Sequence, residues 1–402
     1  MAKKTIRDLE DAQVRGKRAL VRVDFNVPLD ENGEVTDDTR IRASLPTIDA
    51  LLERGARVVV LLSHLGRPRG KPDPAYSLAP VARRLVKLTP HPVIFVGSTV
   101  SDDALAATRS APQGTIVLLE NTRFLPGEEK NDPELARELS QLGDLYVNDA
   151  FGSAHRAHAS TEGVAHHLHP AVAGLLMESE LRFLGDAVEN PTRPFVAILG
   201  GAKISGKIDV IENLLPKVDH LLIGGAMACT FFRAMGLETG GSLVEPDRVE
   251  MAGKVLAEAG EKLVLPTDVV VAPSMEDGSH AHPAARDSIP AAEAVFDIGP
   301  ESSRSFARAV ESARTVVWNG PMGVFEHPPF DAGTRAVGEA MVRATDAGAT
   351  TIVGGGDSAA AMEQMGLARR VSHVSTGGGA SLEFLEGKTL PGVAALDERR
   401  AR

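Results

Sequence analysis

A glycine-lysine loop closes one of the chain's apolar runs. Phe195-Val196-Ala197-Ile198-Leu199 is followed directly by Gly200-Gly201-Ala202-Lys203-Ile204-Ser205-Gly206-Lys207. Counted from Gly201 the spacing is G-x-x-x-x-G-K, but Ile208 stands where a phosphate loop carries the Ser or Thr that binds Mg²⁺. Glycines allow close backbone approach, and lysines supply charge for phosphate oxygens. The loop is therefore either another kind of phosphate site, with its metal held elsewhere, or an ordinary turn.

Other apolar runs in the second half also end in glycine: Gly224-Gly225, Asn319-Gly320-Pro321-Met322-Gly323, Gly354-Gly355-Gly356-Asp357-Ser358 and Gly377-Gly378-Gly379-Ala380. Backbone N–H groups at such ends, with the dipole of a following helix, favour phosphate. Each run taken alone reads as a tight turn; several in one half favour a nucleotide site. Asp357 fits as a Mg²⁺ ligand beside them, or as a helix N-cap.

The first half places cations and amides where its apolar runs end. Asp24, Phe25 and Asn26 follow Leu20-Val21-Arg22-Val23, and His64, Leu65, Gly66 and Arg67 follow Val58–Leu62. Arg123 follows Ile116–Leu119, His155 and Arg156 come after Leu145–Val147, and Arg40 stands just before a helical stretch. The arginine fork matches carboxylate and phosphate oxygens bidentately. Gathered at one rim, Arg40, Arg67, Arg123 and Arg156 would hold a small polyanion; apart, each is a surface charge. His155, His158, His166, His167 and His169 lie close in sequence. Their spacing matches no closed zinc set, so His155 and His158 are expected to line the anion pocket or to pack locally, and the other three to lie on the surface.

These residues need a scaffold that delivers them to strand ends. Short apolar runs alternate with amphipathic stretches such as Ile41–Arg54, Leu78–Leu88, Pro133–Leu142 and Ser302–Ala313. That alternation predicts an α/β fold with parallel sheets, in which ligands bind beyond the carboxyl ends of the strands. Leu176–Val188 reads as a helix stopped by Pro191 and Pro194. It divides the chain into residues 1–175, a connector at 176–190, residues 191–385 and a tail at 386–402.

Composition narrows the classes. The 402 residues exceed one ordinary core, and 43% hydrophobic with 24% charged residues is a soluble globular balance. A net charge of -11 argues against a general nucleic-acid binder. No apolar run reaches the ~18 residues of a membrane span. The single cysteine, Cys229, sits in an apolar setting, reads as a buried inert thiol, and fits a cytoplasmic protein.

Longer motifs carry a family resemblance. Arg22–Pro28, Ser63–Pro68, Glu120–Phe124, His155–Ser160, Gly200–Lys207, Trp318–Glu326, Gly354–Ser358 and Gly377–Glu383 together resemble the bacterial phosphoglycerate kinases over essentially the whole chain. The resemblance implies two Rossmann-like lobes joined by an interdomain helix and a hinge, with the tail returning to the first lobe. It implies reversible phosphoryl transfer from 1,3-bisphosphoglycerate to ADP, giving 3-phosphoglycerate and ATP in glycolysis, by a monomer. On the phosphoglycerate side it implies Asp24, Phe25, Asn26, Arg40, His64, Leu65, Gly66, Arg67, Arg123 and Arg156. On the nucleotide side it implies Lys203, Lys207, Asn319, Glu326 (for the ribose hydroxyls), Gly355, Gly356, Asp357 and Ser358. Asp357 would hold Mg²⁺, Gly377, Gly378 and Gly379 would form a transition-state loop, and Arg40 and Lys207 would neutralise the transferring group. The family usually has an acidic residue just before the second lysine; here Gly206 stands there. Two rivals of other classes are a nicotinamide-dependent dehydrogenase, suggested by Gly354-x-Gly356-x-x-Ala359 but lacking its ribose acid, and a two-lobed anion-binding protein without chemistry.

Overall fold

The computed structural model describes residues 3–399; Met1, Ala2 and the end of the expected tail, Arg400–Arg402, lie outside the described residues. The chain divides into two compact units, Met1–Leu181 with Thr389–Arg402, and Arg182–Lys388.

The first unit is built on strands β1 (Arg18–Arg22), β2 (Val58–Leu62), β3 (Val93–Val96), β4 (Thr115–Leu119), β5 (Leu145–Asn148) and β6 (Ala171–Ala173). They form one six-stranded sheet in the order β3-β4-β2-β1-β5-β6, with parallel pairings throughout. Strands β1, β2, β4 and β5 are nearly or wholly buried, as continuous Val, Leu and Ile runs require when helices cover both faces. The helix Thr39–Glu53 buries Ile41, Ser44, Ile48, Leu51 and Leu52 along one stripe. This places Arg40 in its first turn.

The sequence predicts a first strand of Ala19–Phe25, but β1 ends at Arg22. One further bond, Val23 N to Leu62 O at 2.9 Å, closes the ladder. The chain then turns, and that turn presents Asp24 and Asn26. The short β6 has no periodicity to read and becomes visible only through its pairing with β5.

The second unit repeats the plan with β7 (Phe195–Leu199), β8 (His220–Ile223), β9 (Leu263–Val264), β10 (Asp268–Ala272), β11 (His282–Ala285), β12 (Ala294–Ile298), β13 (Thr315–Asn319), β14 (Thr350–Gly354) and β15 (His373–Val374). A parallel sheet runs β15-β14-β13-β7-β8-β9. An antiparallel sheet, β11-β10-β12, stands beside this plan and is not expected from the alternating pattern. Its middle strand alternates buried and half-buried residues, which a βαβ reading does not distinguish.

Within the first unit the C-terminal segment lies against β5 and β6. Asp397 N donates to Ala171 O at 2.8 Å, and Asn148 Nδ2 donates to Gly392 O at 3.1 Å. The buried Lys3 ammonium donates to the carbonyls of Ala394 (2.8 Å) and Leu396 (2.9 Å).

The helix Leu175–Glu189 begins just after β6. Thr47 Oγ1 accepts from Leu175 N at 2.8 Å, and Asp149 Oδ1 accepts from Leu176 N at 3.0 Å and Met177 N at 3.2 Å. These bonds satisfy donors that a helix start otherwise leaves without partners. Burial pushes the Asp149 carboxyl up to about 6 despite them. Asp149→Ala is expected to destabilise the protein by about 1–2 kcal/mol in urea unfolding. Asp149→Asn, which keeps an acceptor oxygen, should retain most of that stability.

Candidate active site

In the first unit the ends of β1, β2, β4 and β5 bring cationic and amide groups together. Asp24 and Arg40 form an ion pair at 2.8 Å. Asn26 Oδ1 accepts from Gly66 N at 2.9 Å, which fixes the Ser63–Pro68 loop against the β1 turn. Gly66 has φ +60°, and a Cβ there would lie 2.2 Å from the Tyr76 ring, so only glycine fits. Arg123 donates to Gly66 O at 2.7 Å and faces Glu129 at 3.3 Å. Asn121 Nδ2 binds the carbonyls of Leu65 (2.7 Å) and Tyr76 (2.9 Å). Phe25 and Leu65 bury their side chains in the core and serve as the loops' anchors.

At the centre are His64 and His158, both nearly buried. Burial, then the nearby charges of Arg22, Arg123 and Arg40 and the His158 ring, push the His64 imidazole well below its ordinary range. Burial, with Arg22, Arg123, Arg156 and His155 adding to it, pushes His158 down to about 3. Arg22, Arg40, Arg123 and Arg156 therefore converge on one pair of neutral rings. Arg67 stands on the same loop as Gly66 but is exposed, and no hydrogen bond or ion pair links it to the described residues. His166, His167 and His169 are exposed; His166 meets Glu162, and His169 meets Asp397. Among the described residues no group of three His, Cys, Asp or Glu is placed to hold a metal.

Motif reading assigns Arg22 no role. It is fully buried, and its Nε donates to Ser160 Oγ at 2.8 Å. Ser160 Oγ in turn donates to the buried Glu128 at 2.5 Å. The signal available in the sequence is an arginine inside an apolar strand run, where a long charged side chain is tolerated only when paired.

In the second unit the glycine ends fall into two groups. Those of β7, β8 and β13 bind each other: Gly200 N to Asn319 O (3.0 Å), Gly201 N to Pro321 O (2.9 Å) and Gly225 N to Met322 O (2.9 Å). Gly320 has φ +99°, and a Cβ there would lie 2.3 Å from Gly200 O. Its N–H donates to the buried Ser358 Oγ at 2.6 Å, and its carbonyl accepts from the Trp318 indole at 2.7 Å. These glycines let backbones touch, and their N–H groups are already used. Gly206, Gly356 and Gly378 form the second group, where a Cβ would meet nothing within 4 Å. Gly356 opens the helix Gly356–Gln364. Gly377 N is held by Ser375 Oγ at 3.1 Å, and Gly378 and Gly379 lead into the short helix Gly379–Leu385. The open space at Gly206 shows that its lack of an acidic side chain imposes no special packing on the loop.

Lys207 donates to Asn319 O at 3.0 Å and also to Asn319 Oδ1. With Oδ1 so engaged, the buried Asn319 Nδ2 has no hydrogen-bond partner among the described residues; a Cβ on Gly355 would lie 3.1 Å from it. Burial pushes Lys207 down to about 8, and the Asp357 carboxylate pulls the other way. Lys203, Glu326 and Asp357 are exposed. Cys229 is fully buried, and burial pushes its thiol up to about 11, as expected of an inert cysteine.

Residues 9–388 match the family model described as phosphoglycerate kinase. The phosphoglycerate kinase of Chloroflexus aggregans is 59% identical over 403 residues, covering 99% of this chain and all of the relative. That of Chlorobium luteolum is 56% identical with the same coverage. Among solved structures, phosphoglycerate kinase from Coxiella burnetii is 44% identical with a TM-score of 0.87, and that from Pyrococcus horikoshii is 32% identical with a TM-score of 0.83. Each covers 98% of this chain and of its own.

The two glycine groups should separate on substitution. Gly320→Ala, at a positive φ and against the Gly200 carbonyl, is expected to cost about 2–4 kcal/mol in urea unfolding. Gly356→Ala, in open space, should leave stability within about 0.5 kcal/mol and weaken nucleotide binding measured by calorimetry.

Proposed function

The chain belongs to the phosphoglycerate kinase family, and from that membership we propose how its own residues divide the reaction. The family's reaction is the reversible transfer of a phosphoryl group from 1,3-bisphosphoglycerate to ADP, giving 3-phosphoglycerate and ATP in glycolysis. Neither hydride transfer nor anion binding without chemistry describes that reaction.

The observation that carries the assignment is the convergence of Arg22, Arg40, Arg123 and Arg156 on His64 and His158. Such a pocket suits a small anion bearing a carboxylate and a phosphate. Asp24, Asn26 and the Gly66 loop fix its shape, while Arg67, exposed and unengaged, is available to close on the ligand. The nucleotide side comprises Lys203, Lys207, Asn319, Glu326 and Gly355 to Ser358. The open Gly356 end offers backbone donors for phosphate oxygens, the buried Asn319 holds Lys207 in place, and Glu326 suits ribose hydroxyls. Ser358 contributes by holding Gly320 rather than by reaching the ligand. In the Gly377 to Gly379 loop, Gly378 and Gly379 supply backbone for the transition-state oxygens, with Gly377 anchored by Ser375 Oγ.

Asp357, an exposed carboxylate beside these donors, fits a Mg²⁺ ion, which takes one or two carboxylates with phosphate oxygens and water. When bound with nucleotide, that ion would neutralise phosphate charge. Lys207 and Arg40 neutralise the oxygens of the transferring group from the protein side.

In the ATP-consuming direction the acceptor is a carboxylate, already ionised near neutral pH. No side chain has to remove a proton, so positioning and charge carry catalysis. The two half-sites belong to different units, so reaction requires a hinge closure about the Leu175–Glu189 helix that also excludes water. We take the enzyme to work as a cytoplasmic monomer; its single buried cysteine fits a reducing compartment.

The deciding experiment is a coupled assay of ATP-dependent 3-phosphoglycerate phosphorylation. Lys207→Ala is expected to lower kcat about 100- to 1,000-fold; unchanged turnover would remove Lys207 from this role. The pH profile adds a second check. The lysine charge is present below about 8 and lost above it, so kcat/KM for ATP should fall as pH rises through that value. Lys207→Arg, which stays charged, should move the falling limb to higher pH.

A further inference from the structure

A fully buried arginine beside a nearly buried histidine decides which ring nitrogen can carry hydrogen. Arg22 Nη2 lies 3.0 Å from His64 Nδ1. A guanidinium has only donors and stays protonated in proteins. The contact is therefore a hydrogen bond only when Nδ1 offers its lone pair. The remaining Arg22 atoms are committed: Nε to Ser160 Oγ at 2.8 Å and Nη1 to Val23 O. Ser160 is fixed in turn by Glu128, which accepts from Ser160 Oγ at 2.5 Å and from Ser160 N at 3.0 Å. The guanidinium is thus held on three sides and cannot rotate away from the ring.

We propose that Arg22 is a positioning residue that holds His64 as the neutral tautomer with hydrogen on Nε2, so that the ring meets the anionic substrate as an uncharged hydrogen-bond donor. The proposal rests on the pocket's reading as a phosphoglycerate site. His64 keeps 5% of its surface exposed, and its Nε2 has no hydrogen-bond partner among the described residues. The charged groups acting on the ring come from β1 (Arg22), the Arg40 helix turn and the Arg123 loop, with the His158 ring beside them. All of these oppose a second proton. Division of labour follows: the arginines supply charge, and the histidine supplies a directed, pH-insensitive donor.

The test is ¹⁵N NMR of ¹⁵N-histidine-labelled full-length protein, with His64→Gln identifying the His64 signals. The expected spectrum shows a bare Nδ1 and a protonated Nε2, constant from about pH 5.5 to about pH 8.5, the span in which an ordinary imidazole titrates. Adding 3-phosphoglycerate should shift the Nε2 signal and leave the tautomer unchanged. In Arg22→Lys the point-charge ammonium cannot reproduce the fork, and the tautomers should mix. His64→Gln keeps a neutral donor and should raise KM for 3-phosphoglycerate less than His64→Leu does, with kcat the same in both.

A protonated Nδ1, or titration within that range, overturns the role of Arg22 whatever the pocket binds. Should Arg22→Lys fail to fold, the wild-type spectrum still decides this point. An unchanged tautomer in a folded Arg22→Lys protein also overturns it. The stated tautomer with a signal indifferent to 3-phosphoglycerate overturns the substrate half, and with it the reading of the pocket.

Discussion

Like charges repel, and the first unit gathers four guanidinium groups around two imidazoles. That repulsion is the constraint its site must manage. Each of three arginines is restrained by something other than the ligand: Arg40 by Asp24, Arg123 by Gly66 O and Glu129, and Arg22 by Ser160 and Val23 O. Buried charge is costly unless paired, and Glu128, reached through Ser160, supplies the matching carboxylate for Arg22. The imidazoles relieve the remaining repulsion by staying neutral, as the lowering of both shows. A cradle pre-arranged in this way needs little reorganisation when an anion arrives.

The second unit solves a different problem. Three of its strand ends must approach within backbone contact, so glycine is needed where any Cβ would collide. Gly320 is the meeting point: its N–H, its carbonyl and its Cα face are occupied by Ser358, Trp318 and Gly200. This junction fixes Asn319, and Asn319 fixes Lys207. The lysine, partly desolvated and within the field of Asp357, is thereby held by the framework rather than by solvent.

Much of this is legible in the sequence because strand ends carry the chemistry in α/β sheets. The apolar runs mark the parallel strands; Arg123 and Arg156 come after two of them and Arg40 opens a helix, and the three act on the His64–His158 pair. Arg67 sits on the expected loop, exposed and with no hydrogen bond or ion pair among the described residues, since sequence locates a loop but not the rotamer of an exposed side chain. Glycine runs are legible as special but not as two kinds. Whether a glycine faces a neighbouring backbone or open space depends on strands distant in sequence, as with Gly320 against Gly200. Arg22 is hidden for the same reason. Its partners Ser160 and Glu128 lie more than a hundred residues away, and only the β1–β5 pairing brings that part of the chain beside it.

The titration states also explain a chemical absence. A general base needs a free lone pair and an affinity for protons near the working pH. His64 has its Nδ1 turned to a guanidinium, and both His64 and His158 are pushed towards the neutral form by burial and cations. Neither ring can accept and hold a proton at neutral pH. Neither ring is therefore placed to take a proton from an acceptor, and a carboxylate acceptor arrives with none to lose. The cationic crowding that keeps both imidazoles neutral is thus compatible with an acceptor that needs no deprotonation.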